Sequence, residues 1–401
     1  MFSLIQKNYG YIFLILLAAC GAKSRNILMI PRIEEKGIVK IYLDREGDLY
    51  PPEVHITPFY FFLEDKYGQK RKRTKKNEYA SLRSAITERD SVTTQQLKEK
   101  YKLAELDYDP KDYDLLQTTI QKNYVKQLEE NFAINGSRHV VFLIHGFNDP
   151  NPDASFYLLR RSIYKYATDK PTIVEVFWDG LNARGDNPIL SNIWGKAQTN
   201  SAKVGLGLRK IITRIPSNTK ITILTHSLGA SVATHLLFNP LKWPKSFQET
   251  LEERYHSDSL STPKQNNITL AMLAPAIPGT STFKGLKQTV PEKNNLNLTK
   301  IVIGFNRYDY AVNKGRVVPA SWFGSTTLGC DYHFEVSKTI DIIRDSVPTV
   351  TCAPINFSYR INNIDTLSKK LKKTYRQKEH DIIKYESNEH FDAFMKAVFN
   401  K

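Results

Sequence analysis

Ser227 has the strongest chemical setting in this sequence. Ile221-Thr222-Ile223-Leu224 reads as a short apolar strand. It runs through Thr225-His226 into Ser227, then Leu228-Gly229 and a helix-compatible stretch from Ala230 to Phe238. A strand, a tight turn and a helix in that order hold a serine hydroxyl clear of a sheet, with free helix N–H groups facing it. This is the layout of a nucleophile elbow. Strand and helix nearly touch there, so small residues are needed two places either side of the serine. Gly229 meets that demand, and Thr225 stands where a glycine is expected. Alone, the pattern is equally a chance Ser-x-Gly at a helix start. A second stretch gives it company: Val140 to Ile144 ends in His145-Gly146-Phe147-Asn148. Gly146 allows a sharp turn that frees the Phe147 N–H, and the Leu228 N–H is a natural second donor. Two such donors stabilise negative charge developing on a substrate oxygen, and removing one typically costs about 3 kcal/mol in the transition state. The chemistry in view is nucleophilic attack with oxyanion stabilisation.

These residues work only if one sheet edge collects them. From Arg138 the pattern is strand, loop, helix, repeated. Val140 to Ile144 is a continuous apolar strand, Tyr157 to Tyr166 a crossover helix and Thr172 to Phe177 the next strand. Pro188 to Ile215 holds one or two helices leading to strand 221–224, and Ile268 to Leu273 and Lys300 to Phe305 supply two more strands. Unbroken apolar strands belong to sheets covered on both faces. The expected fold class is therefore α/β, a mainly parallel sheet covered by helices, with the working crevice at the carboxyl ends of its strands. Before it, Gly37 to Leu43 reads as a strand, Gly47-Asp48 as a turn, and Val54 to Leu63 as a further strand broken by Pro58. Residues 78–134 read as mostly helical, interrupted at Asp107-Tyr108-Asp109-Pro110.

Ile144-His145-Gly146-Phe147-Asn148 together with Thr225-His226-Ser227-Leu228-Gly229 resembles the α/β-hydrolase superfamily, in particular bacterial serine hydrolases with a His-Gly-Phe-Asn loop. The resemblance covers roughly residues 138–401. It implies an acid after the strand two places beyond the elbow strand. That strand is Ile301 to Phe305, and the acid is then Asp309 in Asn306-Arg307-Tyr308-Asp309. Asp179, after strand 172–177, is a rival. It also implies a base that comes last in chain order. His390, in Asn388-Glu389-His390-Phe391, is the first choice, reached through a final strand at His380 to Tyr385. His333 is the alternative base, and His380 itself ranks below it. His226 is expected to pack under the turn, His235 to be structural, and His145 to shape the oxyanion loop. Relatives often carry an aspartate near Ala276, and any role it has is absent here. The implied activity is a serine hydrolase acting on a carboxyl ester, a lipid or other acyl ester, through an acyl-enzyme. The alternative is a non-catalytic envelope lipoprotein that uses the hydrolase fold for binding.

The 401 residues suffice for one large domain, or a large and a small one, and 41% of them are hydrophobic. The net charge of +16 favours acidic surfaces. Lys7, an apolar run from Tyr11 to Ala19, and Leu17-Ala18-Ala19-Cys20 resemble a bacterial lipoprotein signal. This implies a signal peptide at 1–19, lipid on Cys20, and a lipid anchor and tether at 20–36. An accessory strand and helix region then occupies 37–137, ahead of a catalytic domain at 138–401. The implied location is a bacterial cell envelope, lipid-anchored in the outer membrane, with the membrane as partner through Cys20. An ordinary secretion signal and an uncleaved anchor are the competing readings. Export argues against nucleic acid, and the basic run Lys70 to Lys76 has no interleaved aromatics to stack bases. Cys330 and Cys352 could pair in an oxidising compartment or remain buried thiols. No metal-binding spacing and no glycine-rich phosphate loop occurs, so neither a metal nor another cofactor is expected.

Overall fold

The computed structural model describes residues 35–51, 81–87, 91–103, 110–147, 149, 152–180, 193–238, 266–284, 297–313, 326–366 and 369–399. The sequence expectations for Cys20 and its signal, the tether, the strand at Val54 to Leu63, the basic run 70–76 and Asn148 lie outside these residues.

Eight strands form the main sheet. They are β1 (Ile38–Leu43), β2 (Leu49–Tyr50), β3 (His139–Ile144), β4 (Thr172–Trp178), β5 (Lys220–His226), β6 (Asn267–Leu273), β7 (Leu298–Phe305) and β8 (Thr351–Asn356), in the spatial order β2-β1-β4-β3-β5-β6-β7-β8. Every neighbouring pair is parallel except β1 with the two-residue β2. Strands β3 and β4 are buried along their whole length. They must be, because helices cover both faces and leave no side of the pleat for polar residues.

Helices α3 (Pro110–Asn135), α5 (Ile193–Ile212) and α6 (Gly229–Leu237) pack together on one face. Helices α4 (Asp153–Tyr166), α9 (Ile382–Glu386) and α10 (His390–Phe399) cover the other. On that second face His139 meets Phe399, and Arg160 of α4 lies 2.9 Å from Glu175 of β4. Short helices α1 (Leu82–Thr87) and α2 (Ser91–Tyr101) precede α3, while α7 (Gly279–Phe283) and α8 (Glu335–Ser346) pack against one another beyond β6. This layered arrangement is an α/β-hydrolase-like fold.

The N-terminal segment is built into this sheet. β1 pairs in parallel with β4 from Ile38↔Ile173 to Leu43↔Trp178, and α3 packs on β1, β2 and β4. Asp44, fully buried at the end of β1, accepts the N–H groups of Glu46, Asp48 and Leu82, which joins the β1–β2 turn to α1.

One expectation is corrected here, and one open alternative is decided. His380 to Tyr385 is not a strand: residues 377–381 form a loop and 382–386 the helix α9. Ile382 and Tyr385 lie one helical turn apart and are both buried, so the helical period prevails. The sheet ends at β8. After it, β9 (Tyr359–Thr366) and β10 (Lys369–Arg376) form a separate antiparallel hairpin, from Arg376↔Tyr359 to Lys369↔Thr366. Nor are Cys330 and Cys352 joined. Cys352 pairs with Ile301 inside the sheet, whereas Cys330 is buried against the Thr326 and Thr327 carbonyls. Burial pushes the Cys330 thiol up to about 12.

Candidate active site

At the end of β5 the chain turns at Ser227 with φ +54°, in the left-handed region that a non-glycine residue adopts only under constraint. The constraint is visible. The Ser227 N–H donates to Leu273 O at 3.0 Å, and its carbonyl accepts the N–H groups of Ala230 (3.2 Å) and Ala276 (3.0 Å). Helix α6 starts two residues later. A Cβ on Gly229 would stand 2.5 Å from the Ile144 carbonyl oxygen and 2.7 Å from that of His145. The close approach of helix and strand expected at an elbow is therefore present, and only glycine fits it.

Gly146 makes the second close approach. A Cβ there would lie 2.8 Å from Ser227 Cβ and 3.2 Å from the His226 carbonyl oxygen. The loop after β3 thus passes directly over the serine. His145 holds that loop in shape. Its Nε2 accepts the Trp178 N–H at 3.2 Å, so its Nδ1 carries the proton donated to Gly146 O at 2.9 Å, and its carbonyl accepts Trp178 Nε1–H at 2.9 Å. Burial lowers His145 to about 4, so it is neutral and fully engaged, with no nitrogen left for a base. Phe147 packs edge-on against Trp194 at 5.2 Å. Among the described residues, no acceptor is hydrogen-bonded to the Phe147 or Leu228 N–H.

The acid loop follows β7. Asp309 is 0% exposed, yet its carboxylate is saturated. Oδ1 accepts the Ala311 N–H at 2.9 Å and the Val312 N–H at 3.4 Å. Oδ2 faces His380 Nδ1 at 2.6 Å and accepts the Tyr385 hydroxyl at 2.7 Å. The histidine that the structure brings to Asp309 is thus His380. Its segment is fastened on both sides of the sheet edge. Asn306 Nδ2 donates to Gln377 O at 3.1 Å, the Tyr310 N–H donates to Lys378 O at 3.2 Å, and His226 Nε2–H donates to the His380 carbonyl at 2.9 Å. The His226 and His380 rings lie 4.7 Å apart. Burial, then the charge His380 would carry, holds His226 well below the ordinary imidazole range, which keeps it a neutral donor. His226 therefore seats the neighbouring histidine instead of packing beneath the turn.

No protein-family model matches this chain, and neither does any curated protein. The site consequently rests on its own geometry.

The other candidates fall elsewhere. His390 opens α10, 46% exposed, its Nε2 3.9 Å from Glu389 Oε1. His333 sits exposed in a left-handed turn with its ring against Tyr332. His235 Nδ1–H donates to Ser231 O at 2.7 Å within α6, and burial lowers this histidine to about 4. Asp179 is buried beyond β4, its carbonyl accepting Asn200 Nδ2–H at 3.1 Å. Among the described residues, no group of three or more His, Cys, Asp or Glu could hold a metal ion.

The sequence reading misplaced one residue of this site and missed another. His226 was visible as a histidine flanking the serine, but its direction depends on strand twist. Tyr385 carried no signal, since it meets Asp309 across 76 residues.

Proposed function

We propose that this chain is a cofactor-independent serine hydrolase acting on carboxyl esters, with Ser227 as nucleophile, His380 as base and Asp309 as the group that orients the base. One observation carries the reading: the Asp309–His380 pair stands beside an elbow whose serine has a left-handed backbone and a glycine loop pressed against it. With Nδ1 committed to Asp309, His380 Nε2 is the nitrogen that takes the Ser227 proton as Oγ bonds to the acyl carbon. The Phe147 and Leu228 N–H groups receive the oxyanion. Collapse expels the alcohol, which takes the proton from His380. Water then repeats the sequence and releases the acid.

An activated fluorophosphonate tests this without a known substrate. Label is expected on Ser227 of the wild type and on no residue of Ser227→Ala. His380→Ala should lose most labelling and His390→Ala should keep it. Loss in His390→Ala with retention in His380→Ala would overturn the assignment of the base. A folded, unlabelled wild type would favour a binding protein.

We further propose that the chain is lipid-anchored through Cys20 at a cell envelope, supported by the Leu17-Ala18-Ala19-Cys20 pattern. Among the described residues no helix is long and apolar enough to cross a membrane. Metabolic labelling with a fatty-acid analogue should mark the wild type and not Cys20→Ser, and equal labelling of both would remove the anchor.

A further inference from the structure

We propose that Tyr385 is a positioning residue which, by sharing the Asp309 oxygen with His380, sets how strongly the histidine holds a proton. The inference rests on the assignment of His380 as base. Asp309 Oδ2 receives two donors, His380 Nδ1 at 2.6 Å and the Tyr385 hydroxyl at 2.7 Å. Tyr385 is fully buried at the end of α9, between the Phe357 ring (centroids 5.1 Å apart) and the His226 ring (6.4 Å). Burial, then the nearby Asp309 charge, raises its phenol well above the ordinary range. The hydroxyl therefore keeps its proton and can only donate to the carboxylate.

The direction of the effect follows from charge. A hydrogen bond to a carboxylate oxygen stabilises the negative charge there and leaves less of it for a second partner. Tyr385 thus reduces the advantage that the imidazolium gains from Asp309. The effect favours the neutral histidine, the form that can accept the serine proton. Other groups bear on the same pair from every packed element. His226 at the end of β5 is a neutral donor to the His380 carbonyl. Cys330, from the loop before α8, is a thiol kept protonated by burial. Asn306 approaches the Tyr385 hydroxyl from the β7 loop, and Glu379 and Asp381 flank His380 in the chain. None of them shares Oδ2 with His380.

The test is an NMR titration of the His380 Cε1–H in the intact chain, which needs no substrate and no turnover. Tyr385→Phe preserves the ring, and the His380 midpoint should move to higher pH by about 0.5–1 unit. Genetically encoded 3-fluorotyrosine at position 385, a stronger donor of the same shape, should move it the other way. In an Asp309→Asn background, Tyr385→Phe should produce no shift, because the influence runs through the carboxylate. An unmoved midpoint in both single variants, or a shift that survives Asp309→Asn, would overturn the proposal. Fluorophosphonate labelling of the same samples keeps the serine hydrolase reading separate. An unlabelled protein with the predicted shifts would lose that reading alone, and a labelled protein without them would lose only the role of Tyr385.

Discussion

The catalytic proposal turns at the residue scale on how little room surrounds Ser227. Gly146 lets the loop after β3 lie over the serine, and a methyl group there would meet Ser227 Cβ at 2.8 Å and Oγ at 3.3 Å. Gly146→Ala should therefore displace the loop carrying the Phe147 N–H while leaving the Asp309–His380 pair intact. Loss of one oxyanion donor costs about 2.7–4 kcal/mol, so ester turnover should drop about 10²- to 10³-fold in a variant that still folds, with overpacking lowering its stability by about 1–3 kcal/mol. Steady-state kinetics beside a denaturant melt check this. Near-normal turnover in the folded variant would remove Phe147 from the oxyanion role.

Elements explain why Asp309 meets His380 and not His390. The β9–β10 hairpin stands outside the main sheet, and the chain leaving it runs past Asn306 and Tyr310 before α9 begins. The histidine is thereby presented by a loop tied to the acid loop, ten residues earlier than the terminal helix. Element contacts also decide what the N-terminal segment is for. Gly47 (φ +79°) in the β1–β2 turn would place a Cβ 2.1 Å from Lys203 O, and a Cβ on Gly207 would meet Gly47 O at 2.0 Å. Both glycines let that turn lie on α5. Gly207→Ala should lower stability by about 1–3 kcal/mol through overpacking, in one cooperative transition. A melt that splits in two, with the larger part unaffected, would show that residues 37–137 fold apart from the sheet.

For the whole molecule, buried histidines set the response to acid. His145 and His235 are each lowered to about 4, and His226 is held well below the ordinary value of 6.5, in every case chiefly by burial. Unfolding frees them to bind protons that the folded state refuses. Their contribution is present above the unfolded value and is lost as pH falls from about 6.5 towards 4, on the order of 3 kcal/mol for each of the two at about 4. Glu175 acts in the opposite sense. Burial raises it to about 7 despite Arg160, so it favours folding as pH falls through that value. Burial lowers His139 in the same sense as these histidines and raises Asp44 in the same sense as Glu175, so four histidines stand against two carboxyls, and the denaturation midpoint should be lower at pH 4.5 than at pH 7. An equal or higher midpoint at pH 4.5 would refute this account.

How much was legible in advance follows from the range of the interactions involved. The strand runs around Val141, Ile173, Ile223, Leu270 and Val302 appear in sequence because burial on both faces demands unbroken apolar residues. The Ser227 turn and its glycines appear because strand, turn and helix are contiguous, so their steric demands fall on neighbouring positions. Asp309 follows from the resemblance to the α/β-hydrolases, which implies an acid after the strand two places beyond the elbow strand. The histidine that meets it does not. A histidine reaches an aspartate by closing a loop of about seventy residues, and chain order does not say which loop closes. Nor does sequence reveal that β1 joins β4, that α9 is a helix carrying a buried tyrosine, or that His226 turns towards His380. Those contacts join residues far apart in the chain, and they exist only once the sheet has brought its carboxyl ends to a common edge.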